Sequence, residues 1–231
     1  MSDNELRKMT EVKLKITFNT PAFLGNTTQN AQWRTPPFKA LLRKWWRVVK
    51  AQSVDYNHLN LLKEENELFG KATDKEASRS KLMLRLDTWK AGKDFTQGEQ
   101  TVKHPNVKGG MSINAQLYLG YGPVTKVNKT ALPANSSANL SLLFPEQYKS
   151  EIEETIKLIR AFGTIGSRSR NGWGSISIDG CELSFENIKN MAKKYGRKFD
   201  EAMKLEWAHC IGSDDKGPLI WKTAECSNFE D

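Results

Sequence analysis

The chain has 231 residues, a formal net charge of +8, and hydrophobic residues at 38% of its positions. This length allows one large domain or two small ones, and seven Trp and ten Phe residues supply enough apolar volume for a core. No apolar run approaches the roughly 20 residues of a membrane span and no secretory signal stands at the N-terminus, so we expect a cytoplasmic protein without a membrane partner.

Cysteine usage and net charge narrow the class of partner. Cys181, Cys210 and Cys226 stand far apart, without the paired spacing of zinc ligands or the even number of a disulfide framework. We therefore expect reduced thiols, no metal site and no cofactor. The excess of basic residues favours an anionic partner, of which nucleic acid is the commonest.

The first half of the chain predicts a strand, a helix and two further strands. Apolar and polar residues alternate over 12–18, which is typical of a strand. Residues 37–52 place apolar side chains on one helical face, after prolines that suit a helix start. The polar residues 53–80 indicate a loop or short helix and then a flexible linker. Alternation returns over 81–87 and 111–119, with a turn-rich excursion between these two strands.

The second half begins with a strand at 138–144 and a helix at 145–163, whose acidic residues come early and basic residues late, the order that complements the helix dipole. A glycine-rich loop and a short strand at 173–179 follow. Residues 184–196 and 198–210 predict two amphipathic helices. The order of elements up to the short strand is the βαββαβ pattern of a ferredoxin-like α+β sandwich, also called RRM-like.

We therefore predict two regions. Residues 1–179 form an α+β, ferredoxin-like domain that includes the glycine-rich loop. Residues 180–231 form a short, mostly helical C-terminal extension.

The predicted first helix is strongly basic. Residues 32–50 carry six positive charges and no acidic residue. Such a helix can follow a phosphate backbone, and an exposed aromatic ring can stack on a base, although a solvated basic face of a core helix is the plain alternative. Trp45 falls on the apolar stripe, whereas Trp46 lies off its centre, as an edge of the core or a contact residue. The candidate contacts are Arg34, Lys39, Arg43, Trp46 and Arg47.

The stretch RAFGTIGSRSRNGWGS, residues 160–175, is both flexible and basic. Glycines let a backbone approach a ligand, and adjacent N–H groups can form an anion-binding nest. The stretch lacks the Lys-Ser/Thr pair of a Walker loop and lies in the wrong order for a dinucleotide fingerprint. A nucleic-acid cradle and a plain connector remain as alternatives. The candidate binding residues are Gly163, Gly166, Ser167, Arg168, Ser169, Arg170, Gly172 and Gly174.

Three segments together resemble the RAMP superfamily, the ferredoxin-like subunits of CRISPR effector complexes. They are TPAFLGN (20–26), RTPPFKALLRKWWR (34–47) and FGTIGSRSRNGWGS (162–175), and the pieces ELFGKA (67–72) and YLGYG (118–122) also fit. The chain is most similar to the first subunit of the type III-B (Cmr) complex. It departs from the family pattern at Ala40, Thr164 and Asn171.

This resemblance implies an RNA-binding subunit of a type III-B-like CRISPR ribonucleoprotein in antiviral defence. Such a subunit would contact guide RNA, or the guide–target duplex, through the RNA backbone, beside other subunits of the complex. It is thought to bind RNA without cutting it.

Two other functions stay open. A metal-independent endoribonuclease that processes CRISPR repeats would need a histidine to activate a 2′-hydroxyl, and His58 and His104 are the candidates, whereas His209 is interpreted as structural. A protein-binding adaptor would instead use the basic surface to meet acidic neighbours.

Overall fold

The structure, a computed structural model, describes residues 8–73, 76–103, 112–124, 129–180 and 183–221. Its first elements in chain order are β1 (Met9–Phe18), α1 (Thr35–Ala51), α2 (His58–Phe69), β2 (Lys71–Ala72), β3 (Ala77–Ser78) and β4 (Met83–Leu86). The middle elements are β5 (Lys93–Asp94), β6 (Thr101–Lys103), β7 (Ser112–Asn114), α3 (Ala115–Gly120), β8 (Thr130–Ala131) and β9 (Ser137–Pro145). The last elements are α4 (Lys149–Phe162), β10 (Ile176–Ile178), α5 (Phe185–Lys194), β11 (Gly196–Lys198), α6 (Phe199–Ala202), β12 (Ile211–Asp214) and β13 (Gly217–Pro218).

A four-stranded antiparallel sheet in the order β10-β1-β9-β4 lies at the centre of the fold. The two middle strands, β1 and β9, pair along nearly their whole length. The alternation read from the sequence is real, since Ile16 and Phe18 are buried whereas Lys13 and Lys15 are exposed. This antiparallel sheet and its helices confirm the combination of helix and strand in the predicted α+β class.

Helices α1 and α4 bury their apolar faces in one core with this sheet. The bulkiest side chains there, all at most 2% exposed, are the aromatic residues Phe18, Phe38, Trp46, Phe69 and Phe144. Each such burial stabilises the fold by about 1.5–3 kcal/mol. Among the described residues, no helix has the length and apolar composition needed to cross a membrane.

Two carboxylates tie α1 to its neighbouring helices. Glu151 at the start of α4 accepts hydrogen bonds from Trp46 Nε1 and Lys50 Nζ, both at 2.9 Å. Glu65 of α2 accepts two hydrogen bonds from Arg47. These polar contacts fix the basic helix against both partners.

The predicted strand at 111–119 is wrong in its second half. Met111 lies outside the described residues, and Ser112–Asn114 is extended as β7, but Ala115–Gly120 is the helix α3. The side chain of Asn114 caps this helix by accepting a hydrogen bond from Leu117 N (2.8 Å). Alternating apolar residues over so short a segment are compatible with a strand or a helix. The Asn114 cap favours the helix.

The polar segment 53–80 contains more regular structure than its composition predicts. Helix α2 spans 12 residues, and the side chain of Asn57 caps it by accepting from Asn60 N (3.0 Å). Where the composition predicts a flexible linker, β2 and β3 pair in an antiparallel ribbon.

The C-terminal region is less helical than predicted. Helix α5 occupies Phe185–Lys194, but within the predicted helix 198–210 only Phe199–Ala202 is helical. The strands β11, β12 and β13 form a three-stranded sheet around it. The centroid of the Trp207 ring lies 4.9 Å from the guanidinium of Arg47, so this non-helical segment packs on α1. Tertiary packing thus overrides a weak local helical pattern.

Glu154 of α4 anchors the C-terminal region. It accepts hydrogen bonds from Lys157 Nζ, Lys194 Nζ and Tyr195 Oη, each at 2.8 Å. Burial alone would raise the pKa of Glu154, but these hydrogen bonds outweigh burial and lower the pKa from 4.5 to about 2.

The pKa of Glu154 predicts a pH dependence of stability. Because the folded-state pKa is depressed, the stabilisation is fully present above about pH 4.5 and is lost as the pH falls toward 2. We expect Glu154→Gln to lower the free energy of unfolding by about 1–2 kcal/mol at pH 7, and this deficit to shrink over that window. Urea unfolding across the pH range measures it. The exposed neighbour Glu153, changed to Gln, is the control, and an identical pH profile for the two variants would contradict the assignment.

Candidate functional site

The glycine-rich segment 163–175, called the glycine loop below, joins α4 to β10 and packs against the chain that leaves β1. Ser167 N donates to Phe23 O (3.1 Å), and Gly174 N donates to Pro21 O (2.9 Å). The loop also closes on itself through Ile165 N and Gly174 O (2.9 Å). These backbone hydrogen bonds hold the loop in one defined conformation, unlike a flexible connector.

The loop has a buried base and an exposed tip. The Trp173 ring is 7% exposed, and its centroid lies 5.1 Å from that of Phe23 and 5.5 Å from that of Phe95. Gly163 and Gly174 are buried, so they shape the loop instead of facing solvent. The exposed candidates are Gly166, Ser167, Arg168, Arg170 and Gly172, and Ser169 is half-buried.

Left-handed backbone recurs along the loop. The φ angles of Gly166, Arg168, Gly172 and Gly174 are 99°, 58°, 85° and 64°. Arg168 directly precedes a right-handed 3₁₀ turn at Ser169–Asn171. Left-handed residues beside right-handed ones are the backbone pattern of anion-binding nests.

The two arginines at the tip keep most of their donors available. Arg168 Nε donates to Tyr121 O at 2.7 Å, which anchors the guanidinium by one edge. With respect to the described residues, its terminal amino groups and the whole Arg170 guanidinium make no hydrogen bond or ion pair. Both side chains are exposed and always positively charged, so together they form a cationic tip suited to phosphate or carboxylate.

A second cationic surface lies along α1. A groove of about 520 Å³ between α1 and the edge strand β4 carries Lys39, Arg43, Lys44 and Arg47. An adjoining groove of about 610 Å³ reaches α2 and the β2–β3 ribbon, and it shares Lys39 and Arg43 with the first. We call the two together the helix groove.

Glu65 forms ion pairs with two of the cations of the helix groove. Its carboxylate is 2% exposed, accepts two hydrogen bonds from Arg47, and lies 3.4 Å from Arg43 Nε in an ion pair without hydrogen-bond geometry. Trp207 covers the outer side of Arg47. Arg43 and Arg47 therefore hold α1 to α2 in the absence of any ligand.

Arg34 and Lys39 lack such an anionic partner among the described residues. Arg34 Nε is buried and makes no hydrogen bond there. Burial, and secondly the charge of Arg43, lower the pKa of Lys39. A bound anion would relieve this repulsion, so Lys39 is the residue of the helix groove best placed to gain from one.

Trp46 is not a contact residue, because its ring is fully buried. It lies edge-on to Phe69 of α2 and bonds Glu151 of α4. Trp45 is the half-buried neighbour, stacked on Phe162 with ring centroids 5.6 Å apart. The spacing Phe38–Leu42–Trp46 places Trp46 on the stripe that faces the sheet core, whereas Trp45 faces the C-terminal region.

The histidines do not assemble a catalytic cluster within the described part of the chain. His58 Nδ1 lies 2.9 Å from Glu206 Oε2, and His104 lies outside the described residues. Burial, and then the charges of Arg47 and Lys44, lower the pKa of the half-buried His209. No three His, Cys, Asp or Glu side chains of the described residues are grouped to hold a metal ion. Cys210, the one cysteine inside those residues, is a free thiol whose pKa is raised by burial.

Two residues, one within the glycine loop and one beside it, were not among the sequence candidates. Asn171, a departure from the family pattern, donates from Nδ2 to Leu119 O (2.8 Å) and so fastens the loop to the end of α3. Tyr121 presents a 68% exposed ring next to Arg168. Its position in the YLGYG piece of the resemblance was the available signal.

Comparison with protein-family models gives one match. The model of the RAMP superfamily matches residues 15–177, more than half of the chain. This range contains the segment after β1, the basic helix and the glycine loop. No curated protein matches the sequence significantly.

The chain is also similar to parts of solved structures, at low sequence identity. The crystal structure of apo Cmr1 from Pyrococcus furiosus has a TM-score of 0.48 at 15% identity, over 90% of this chain and 63% of that one. A cryo-EM structure of the type III-B Cmr-beta complex bound to cognate target RNA contains a chain with a TM-score of 0.43 at 13% identity, over 77% and 61%. A chain of a type IV-B CRISPR complex reaches 0.46 at 13% identity, over 76% and 92%. The chain thus spans less than two thirds of the first two.

The glycine loop predicts different costs for two alanine substitutions. Gly174 and Gly172 both have positive φ, but a Cβ at Gly174 would lie 1.9 Å from Ile165 O, whereas one at Gly172 would meet nothing within 4 Å. We expect Gly172→Ala to cost about 1–2 kcal/mol of stability through backbone strain, and Gly174→Ala about 2–5 kcal/mol because a backbone atom must also move. Urea unfolding measures both. Equal losses would show that the close approach does not constrain the loop.

Proposed function

Because the chain belongs to the RAMP superfamily, we propose that it is an RNA-binding subunit of a CRISPR effector complex, of the type III-B kind. It holds guide RNA, or the duplex of guide and target, through the RNA backbone in antiviral defence in the cytoplasm. Base pairing reads the sequence, as in other RNA-guided systems, and the protein supports it with contacts that ignore base identity. Its partners are that RNA and the neighbouring subunits, and these contacts need no cofactor.

The domain is proposed to be ferredoxin-like. Numbered within the central sheet alone, the strands lie in the order fourth, first, third, second, with both helices on one face. That order is the one expected of two interleaved βαβ units. Residues 1–179 would be this domain, and 180–231 a reduced second module that rests on α1 and α4.

The cationic tip of the glycine loop is the observation that carries the proposed function. Arg168 and Arg170 extend from a loop whose path is fixed by backbone hydrogen bonds, and the described residues offer them no anion. A guanidinium held in place with its donors outward suits the bidentate geometry of phosphate. The exposed Gly166, Ser167 and Gly172 let the RNA backbone approach, while Ser169 can donate its hydroxyl.

The helix groove is proposed as the second contact surface. Lys39 lies in the groove without an internal anion, so a phosphate there would relieve its unfavourable charge, and Arg34, directly before α1, has a buried Nε without a hydrogen-bond partner among the described residues. Arg43 and Arg47 already form ion pairs with Glu65, which leaves one net positive charge for a ligand. We therefore expect substitutions at Arg34 and Lys39 to weaken RNA binding without loss of stability, and those at Arg43 and Arg47 to reduce both.

The endoribonuclease alternative rests on one observation. His58 and Glu206 form a histidine–carboxylate pair at the start of α2, a geometry that can orient an imidazole as a general base. The same pair also joins α2 to the C-terminal region, so it has a structural use.

The cationic tip predicts a steep, arginine-dependent response to salt. We expect Arg168→Ala/Arg170→Ala to weaken binding of a guide-length single-stranded RNA about 10- to 100-fold, and to reduce the slope of log affinity against log salt by about 1.4. Fluorescence anisotropy at several salt concentrations measures both quantities.

The double variant Lys189→Ala/Lys193→Ala removes the same charge from exposed positions of α5 and serves as the control. A flat salt response of the wild type, or an equal loss in both double variants, would overturn the proposed role of the loop.

A cleavage assay distinguishes the RNA-binding subunit from the endoribonuclease. We expect the purified protein to leave CRISPR repeat RNA intact in EDTA, because the His58–Glu206 pair has a structural use where α2 meets the C-terminal region. Denaturing gels of labelled RNA measure cleavage. Cutting that disappears in both His58→Ala and Glu206→Gln would favour the endoribonuclease, and cutting lost only in His104→Ala would assign it to that residue instead.

A further inference from the structure

An exposed aromatic ring stands beside the cationic tip of the glycine loop. Tyr121 follows directly on α3, and its side chain is 68% exposed. Its own carbonyl accepts the hydrogen bond from Arg168 Nε (2.7 Å), so the ring and the guanidinium belong to neighbouring points of one surface. A tyrosine ring exposed to this degree leaves apolar area in water that a flat partner would cover.

The turn that presents Tyr121 is fixed in place. Val124 N donates to Gly120 O (2.8 Å), and a Cβ on Gly120 would lie 2.4 Å from Val124 Cγ2. Asn171 Nδ2 donates to Leu119 O, two residues before Tyr121 and near the end of α3. The exposure of the ring is therefore a property of a packed turn and does not come from a loose chain end.

The surroundings of the ring favour an anionic, aromatic ligand. Arg168 and Arg170 lie in the same loop, and neither has an anion among the described residues. Nucleotides combine a flat base with a phosphate, whereas a hydrophobic protein segment would place apolar side chains against two unpaired guanidinium groups at a desolvation cost.

We propose that Tyr121 stacks on a nucleobase of a single-stranded RNA segment, while the terminal amino groups of Arg168 bind a phosphate of the same segment. This site rests on the proposed RNA-binding function and adds a base-stacking contact to it. Every base has a π face, so the site accepts any of the four bases and takes an unpaired nucleotide rather than one inside a duplex. Asn171 acts as a positioning residue, since it fixes the turn, whereas Tyr121 and Arg168 contact the ligand.

The test compares three substitutions at one position. We expect Tyr121→Ala and Tyr121→Leu to weaken binding of a single-stranded RNA about 5- to 100-fold, and Tyr121→Phe to bind like the wild type, because stacking uses the ring alone. The salt slope should stay that of the wild type in all three, whereas Arg168→Ala should lower it by about 0.7. Phe199→Ala, which removes another exposed aromatic ring in the C-terminal region, is the control.

A fluorescent base tests stacking independently of affinity. RNA that carries 2-aminopurine at successive positions should be quenched at one position by saturating wild-type protein and by Tyr121→Phe, and not by Tyr121→Leu. Circular dichroism checks that the variants stay folded, as expected for a change at an exposed side chain.

The possible failures are distinguishable. If the wild type binds RNA with an arginine-dependent salt slope but Tyr121→Ala binds equally well, the stacking site is wrong and the proposed function stands. If Tyr121→Ala keeps its RNA affinity but loses co-purifying subunits, the ring meets a protein and the stacking site is again wrong. If the wild type binds no RNA, the proposed function itself fails.

Discussion

The close approach of the glycine loop to itself and to the chain leaving β1 is the constraint on which the candidate site depends. At Gly174 the backbone passes Ile165 O at a distance that no Cβ permits. Trp173 fills the space beneath and packs on Phe23. Because the buried part of the loop and its backbone are both fixed, the Arg168 side chain extends from a defined point on the surface.

Internal carboxylates decide which of the many cations can meet a ligand. Glu65 forms ion pairs with Arg43 and Arg47, and Glu151 forms one with Lys50. Much of the positive charge of α1 therefore contributes to the packing of the helix. Ion pairs to a buried carboxylate such as that of Glu65 are weak evidence of added net stability, but the loss of one partner would leave an uncompensated charge. Arg168 differs, since among the described residues its guanidinium bonds only a carbonyl and keeps its charge uncompensated.

Preorganisation links the arginine to the ring beside it. A guanidinium anchored through Nε loses less conformational freedom on binding than an unanchored one, and a tyrosine side chain has only two torsion angles to fix. The hydrogen bonds of Arg168 and Asn171 to the end of α3 join the two segments. A charge contact and a stacking contact thereby fall on one side of the molecule.

The sequence by itself determined the strands of the central sheet, both packed helices and the glycine loop, because apolar periodicity and glycine content are local properties. Tertiary structure decided the rest. Trp46 is buried because α2 and α4 close over it, and Arg47 is neutralised by Glu65, which lies 18 residues away. The predicted helix at 198–210 is mostly non-helical, and Trp207 in this segment packs on Arg47. A local sequence pattern predicts the face of the element on which a side chain lies. Its contact partner depends on which segment, distant in the sequence, packs against that face.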